Sequence, residues 1–134
     1  MKDRKVLRII DANFNRLREG LRVLEETERL GRDRKKAFAF LKGLRHAVAA
    51  CCGLFEGPAL LEARDSEGDV GRAGASKSEL RRANIDGIVS ANFKRCQEAA
   101  RVIEEFAKLI NPTASKKAKA VRFKLYTVEK EWAK

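Results

Sequence analysis

A chain of 134 residues with a net charge of +11, 44% hydrophobic and 37% charged, has the size and balance of one folded domain. No apolar run approaches ~18 residues, which excludes a membrane-spanning helix, and the hydrophobic content excludes a disordered chain. The positive field favours anionic partners, namely nucleic acid, acidic headgroups or phosphorylated metabolites.

The charges are dispersed rather than gathered in one Lys/Arg block, which argues against a nucleic-acid tail. A basic surface that is merely solvated accounts for them equally well. The N-terminal MKDRKVLRII has no apolar signal segment, so a cytoplasmic protein is expected. Cys51, Cys52 and Cys96 lack metal-ligand or redox-motif spacing and are expected to be buried thiols.

In chain order, residues 4–30 read as a helix. Val6, Ile9, Ile10, Asn13, Leu17, Gly20, Leu21 and Leu24 recur at spacings of three and four, one face of a helix. Asp3 is its expected cap and Gly31 its stop. Asp33 is expected to cap a second helix over 34–55, whose end, AVAACCGLF, is apolar all round and so expected to be buried. From Gly53 to Gly74 lie five of the nine glycines and Pro58. This predicts a long ordered loop, a feature that in compact domains is commonly functional, anchored by Leu54, Phe55, Leu60, Leu61 and Val70. Ser76 and Glu79 have capping-box spacing, predicting helix to Ile110 with a break near Asp86–Gly87. Asn111–Pro112 ends that helix. Thr113 or Ser115 is expected to cap a last helix reaching about Ala133.

Residues 9–30 and 88–109 are copies of one pattern. Ala12/Ala91, Asn13/Asn92, Phe14/Phe93, Arg16/Arg95, Glu19/Glu98, Arg22/Arg101, Val23/Val102, Glu25/Glu104, Glu26/Glu105 and Leu30/Leu109 recur in register. A weaker echo pairs Leu44–Arg45–His46 with Val121–Arg122–Phe123. The expectation is an all-α domain over 1–134, a four-helix bundle of two pseudo-repeated hairpins. The first hairpin spans 4–55, a functional loop 56–76 and the second hairpin 77–133.

The repeat keeps polar residues of fixed type on an oily face. A buried Asn or Arg is costly unless hydrogen-bonded or paired. One account is structural: Glu19 is three residues from both Arg16 and Arg22 and could pair with either. The other is functional: Asn13, Arg16, Asn92 and Arg95 point into a shared pocket and hold an anion, with space left by Gly20 and Ala99. Arginine suits phosphate because its planar fork donates two parallel hydrogen bonds.

The loop RDSEGDVG (64–71) concentrates further chemistry. Arg64 can bind phosphate. Asp65, Glu67 and Asp69 can supply oxygen ligands to magnesium, and Gly68 and Gly71 can bring backbone N–H groups to an anion. An acidic glycine loop is also an ordinary turn, so the string alone leaves both readings open. No GxxxxGK[ST] loop or protein-kinase motif set is present. His46, the one histidine, is expected in the core or an interface rather than as an acid or base. Tyr126 and Trp132 are expected to pack, although Tyr126 could stack on a heterocycle.

Taken together, RIIDANFNRLREGLRVLEE, LRH, RDSEGDVG, ANFKR with EAARVIEEFAKL, and VRFKLYTVE resemble a small domain found alone or fused ahead of thiamin-phosphate synthase. Its stand-alone form is a hydroxymethylpyrimidine-phosphate kinase, unrelated to the ribokinase-like enzyme of that step. The resemblance covers nearly the whole chain. It departs at Ser66, where the family often has Thr, and at Ala99–Ala100, which fit an EALR-like stretch less closely.

The resemblance implies ATP-dependent phosphorylation of 4-amino-5-hydroxymethyl-2-methylpyrimidine phosphate to its diphosphate, with ATP and Mg2+. For such a reaction, the residue types in the matching motifs lead us to expect that Arg64, Asp65 and Asp69 are catalytic, and that Asp65, Glu67 and Asp69 hold magnesium. Asn13, Arg16, Asn92, Arg95, Gly68 and Gly71 bind substrate. A functional link to thiamin-phosphate synthase and a homo-oligomer are further expectations. The rival readings are a basic helical nucleic-acid binder and a non-catalytic module docking on a thiamin-synthesis enzyme.

Overall fold

The computed structural model describes residues 2–74 and 81–133, all-α, with no strand among the described residues. Helix α1 spans Lys2–Glu26 and runs into a π-helical turn, Thr27–Gly31. Helix α2 spans Lys35–Cys52, the short α3 Ala59–Ala63, α4 Ile85–Ala107 and α5 Pro112–Trp132. The long helices form a ring: α1 packs on α2 and α4, and α5 closes it by packing on both α4 and α2. The α1–α4 seam is the most extensive, and α3 lies against α1.

The seam follows from the apolar stripes. Ile10, Phe14, Leu17, Leu21 and Leu24 of α1 are buried against Val89, Phe93, Cys96 and Ile103 of α4. Gly20 sets how close the two helices come. A Cβ there would lie 2.6 Å from Cys96 Sγ. That thiol is fully buried, and its Sγ sits 3.7 Å from the Leu17 carbonyl as a weak donor, so it cannot swing away. Gly20→Ala gains about 1 kcal/mol of helix propensity, but overpacking costs roughly 1–3 kcal/mol. We expect a net loss that Cys96→Ala partly reverses. Denaturant titration of both singles and the double would contradict this if the two effects simply add.

Several boundaries move, each for a local reason. Asp33 does not cap α2. The π-helical turn ends at Gly31, the expected stop, and Asp33 takes φ 54°, a left-handed conformation Asp tolerates. Arg34 then occupies the cap position without capping α2 through its side chain, which pairs with Glu28 instead. Helix α4 begins at Ile85, where Asn84 Oδ1 accepts from Gly87 N–H at 2.8 Å; Asp86–Gly87 is thus its first turn rather than a break. The Ser76–Glu79 capping box lies outside the described residues. Asn111, not Thr113 or Ser115, caps α5 by accepting from Ala114 N–H, with Pro112 opening the helix. Ser115 Oγ instead donates to the Glu104 carbonyl at 2.7 Å.

The segment 47–55 is only partly buried. Val48, Cys51 and Phe55 face inward, while Ala47, Ala49 and Ala50 lie outside, where a lone methyl costs little. His46 is exposed on α2, not in the core. Of the loop's expected anchors, Phe55 and Leu60 are buried, Phe55 meeting Phe14 edge-to-face at 5.8 Å, whereas Leu61 and Val70 are exposed.

All three cysteines are free thiols. Burial pushes the Cys51 pKa up to about 11 and that of Cys96 to about 12, leaving almost no thiolate near neutrality. Cys52 is half-buried, and burial raises its pKa as well. Thiol titration of the native protein at pH 8 should find at most Cys52 reactive, and all three only after unfolding. Rapid native labelling of Cys96 would contradict the packing of the seam.

A feature that the repeat alignment did not identify as structural ties each hairpin together. Glu25 of α1, 1% exposed, accepts from Arg45 Nε of α2 at 2.5 Å. Its counterpart Glu104 of α4 accepts from Arg122 Nε of α5 at 2.9 Å. These are the matched Glu25/Glu104 and Arg45/Arg122 positions. A third ionic clamp joins the hairpins: Arg32 donates to Glu28 at 2.8 Å, to the Trp132 carbonyl at 2.9 Å, and to Asp86 at the start of α4.

Candidate functional site

Five matched pairs from the two repeats line one cavity of about 470 Å3 along the α1–α4 seam: Asn13/Asn92, Arg16/Arg95, Glu19/Glu98, Gly20/Ala99 and Val23/Val102. Equivalent positions on two crossing helices meet their counterparts because the seam lies on the pseudo-twofold axis. Gly20 and Ala99 form the small-residue floor, Val23 and Val102 an apolar wall, and the arginines sit at the rim.

The asparagines are fixed. Asn13 Nδ2 donates to the Ile9 carbonyl and Asn92 Nδ2 to the Ile88 carbonyl, each at 2.8 Å. Satisfying the amide NH2 on the helix's own backbone leaves the side-chain oxygen toward the cavity. Asn13 Oδ1 accepts a long, 3.4 Å bond from Arg16 Nη1. Arg16 and Arg95 are exposed at their heads, and among the described residues neither is in an ion pair. Glu19 pairs with neither Arg16 nor Arg22; Arg22 meets Glu26 at 3.8 Å instead. The structural network that could account for these arginines is therefore missing. Two guanidinium groups with no ion-pair partner among the described residues thus line one cleft, together with Glu19 and Glu98, and such forks have the geometry to receive an anion.

The acidic loop approaches the same face of α1. A second cavity, of about 560 Å3, shares the wall of Asn13, Arg16 and Val102 and extends over Lys5, Arg8 and Asp69. Arg8 Nη2 donates to the Asp65 carbonyl at 2.9 Å. Arg64 is held by a two-pronged pair with Asp11, Nε to Oδ2 at 2.8 Å and Nη2 to Oδ1 at 2.9 Å. These bonds raise the Arg64 pKa further. The fork expected to bind phosphate thus holds a carboxylate, so Arg64 anchors the loop to α1.

The loop's other residues also satisfy one another. Gly68 N–H donates to Asp65 Oδ1 and Gly71 N–H to Asp69 Oδ1, each at 2.8 Å. These amides are not left free for an anion, as the glycines alone suggested. Gly68 leaves room for that bond, since a Cβ would lie 2.3 Å from Asp65 Oδ2 and the carboxylate would have to turn aside.

No three carboxylate, His or Cys side chains among the described residues gather closely enough to hold a metal ion. Asp65, Glu67 and Asp69 therefore do not form a preassembled triad: two are turned into the loop's own turns and Glu67 lines none of the cavities described. What remains fits a magnesium ion arriving on a polyphosphate, which needs only one or two carboxylates. Asp65 and Asp69 line one small cavity with Asp11, Asn15, Arg8 and Arg64, and the second oxygen of each has no partner among the described residues.

The sequence reading missed Arg8, Lys5 and Asp11. Asp11, 6% exposed, carried one sign in the sequence: an acid between Leu7 and Phe14 at helical spacing, whose register partner is Ser90.

No helix among the described residues is long and apolar enough to cross a membrane. No solved structure matches the chain. Related chains are known, however. A thiamine-phosphate synthase of Nostoc punctiforme is 41% identical over 124 residues, covering 92% of this chain and 34% of that protein. One from Thermosynechococcus vestitus is 41% identical over 125 residues, 93% and 34% respectively. One from Rhodopirellula baltica is 35% identical over 130 residues, 97% and 35% respectively. The chain spans about a third of the length of these relatives. Residues 8–131 match the ThiD2 family, and the chain belongs to that family.

Proposed function

We propose that the chain is a kinase of thiamin biosynthesis that transfers the γ-phosphoryl group of ATP to 4-amino-5-hydroxymethyl-2-methylpyrimidine phosphate. The observation that carries this reading is the α1–α4 cavity, lined at matched positions by Arg16 and Arg95, neither in an ion pair among the described residues. The kinship with thiamine-phosphate synthases supports the substrate class.

The acceptor is a phosphate oxygen, ionised at neutral pH, so no strong base is required. That oxygen forms a bond to the γ-phosphorus while the bond from γ-phosphorus to the bridging β-oxygen breaks, and ADP leaves with the electron pair. Bringing two polyanions together is the main obstacle, and the chain's residues act on that. Arg16 and Arg95 neutralise phosphate oxygens, Asn13 and Asn92 orient substrate, and Val23 and Val102 give the pyrimidine an apolar surface. Magnesium bound with the nucleotide would be held by Asp65 and Asp69 and would supply charge neutralisation on the phosphates.

A second reading is favoured by the length of the relatives: a module that serves a thiamine-phosphate synthase without chemistry of its own. Incubating the purified chain with Mg-ATP and the pyrimidine monophosphate separates the two. The kinase reading expects pyrimidine diphosphate and ADP in equal amounts by 31P NMR. Asp69→Asn keeps the acceptor oxygen for Gly71 N–H but removes the charge, and should lower turnover at least tenfold with unchanged helix content. No diphosphate from the wild-type chain overturns the reading.

A further inference from the structure

The cavity is nearly symmetric, but its surroundings are not. At the first repeat it continues past Asn13 and Arg16 into the second cavity, where Lys5, Arg8 and Asp69 stand. In the second repeat the positions in register with Lys5, Arg8 and Asp11 are Asn84, Gly87 and Ser90. Two of these perform another task, since Asn84 caps α4 through Gly87 N–H. The second half therefore offers one cation, Arg95, beside Glu98, whereas the first offers Lys5, Arg8 and Arg16 beside Glu19 and Asp69. At about 470 and 560 Å3, each cavity falls within the roughly 300–1,000 Å3 usual for a small-molecule site. Two adjoining sites with a common wall suit two substrates that must meet.

Resting on the kinase reading above, we propose that the halves divide the substrates. The triphosphate of the nucleotide lies along Lys5, Arg8 and Arg16 on the first-repeat side, and the phosphate of the acceptor lies on Arg95 and Asn92. The length of the polyanion decides the assignment: a triphosphate offers three phosphates in a row to be matched by donors, a monophosphate ester one, and the first-repeat side has three cations spread along it. The metal-bearing substrate also goes to the side with carboxylates, because Asp65 and Asp69 stand on the first-repeat side alone. Transfer then runs across the shared wall, from the Arg16 side to the Arg95 side. Arg8 binds both loop and triphosphate in this arrangement, its Nη2 already holding the Asp65 carbonyl, so nucleotide and loop order are coupled.

Calorimetric titration of the full chain tests this with two separate probes, Mg-AMP-PNP and the pyrimidine monophosphate. Lys5→Ala/Arg8→Ala should weaken the nucleotide analogue at least tenfold and leave the monophosphate within twofold. Arg95→Ala should do the reverse. Lys5→Ala alone, at an exposed position, gives a smaller loss of the same pattern should the double variant fold poorly. Losses that are swapped, or shared equally by both probes, overturn the division while leaving the kinase reading intact. A wild-type chain that binds neither probe overturns both.

Discussion

Arg16→Ala and Arg95→Ala should each reduce phosphoryl transfer by roughly 10^3-fold, the lower end of what an arginine on a transferring phosphoryl group contributes. Their far-UV circular dichroism and melting temperature should stay near wild type. The separation of the two readouts follows from the site. Both guanidinium heads are exposed at the cavity rim, and neither has a carboxylate partner among the described residues. Removing either leaves no buried charge behind, so stability has little to lose. On the proposed kinase reading, catalysis loses one of the two forks that neutralise phosphate. Lysine at either position keeps the charge but not the planar pair of donors and should recover only part of the rate. Steady-state kinetics on the four variants check this. Near-normal turnover in both alanine variants would remove the cavity from the chemistry.

The largest stability effect is expected at Glu104. Its carboxylate is 5% exposed and faces Arg122, itself 9% exposed, at 2.9 Å from Nε and 2.8 Å from Nη2. Glu104→Ala strands a cation in the interior, which typically costs about 3–5 kcal/mol. Glu25→Ala breaks the equivalent pair, but the Arg45 side chain is 25% exposed and can turn to water. The expected loss there is smaller, about 1–3 kcal/mol. Urea unfolding of both variants gives the order directly. Equal losses would mean that solvent reaches Arg122 as readily as Arg45.

The helices were legible because their oily stripes are long and regular. Ile10 to Leu24 and Val89 to Ile103 specify a buried face whatever the neighbouring chain does. Boundaries were less legible, because they were decided by contacts distant in sequence. Asp33 has the right chemistry to cap α2, yet Arg32 reaches Glu28, Asp86 and the Trp132 carbonyl and fixes the turn differently. In the site, the repeat marked Asn13, Arg16, Asn92 and Arg95, and the structure gathers them around one cavity. The loop was read less well. Spacing shows which carboxylates are close in sequence but not which N–H each will accept from, and Asp65 and Asp69 both turned to their own glycines. Arg64 looked free because Asp11 lies 53 positions away.

Each glutamate–arginine bond is internal to one hairpin, whereas the oily α1–α4 seam is made only when two hairpins meet. A half-length chain would hold its own staple yet present an uncovered flank, which a duplicate of itself would cover. The molecule has the form of such a self-pairing ancestor joined end to end. Joining releases the halves from being identical, so one can carry Lys5, Arg8 and Asp11 where the other carries Asn84, Gly87 and Ser90. A symmetric cleft can in this way become directional without rebuilding its floor.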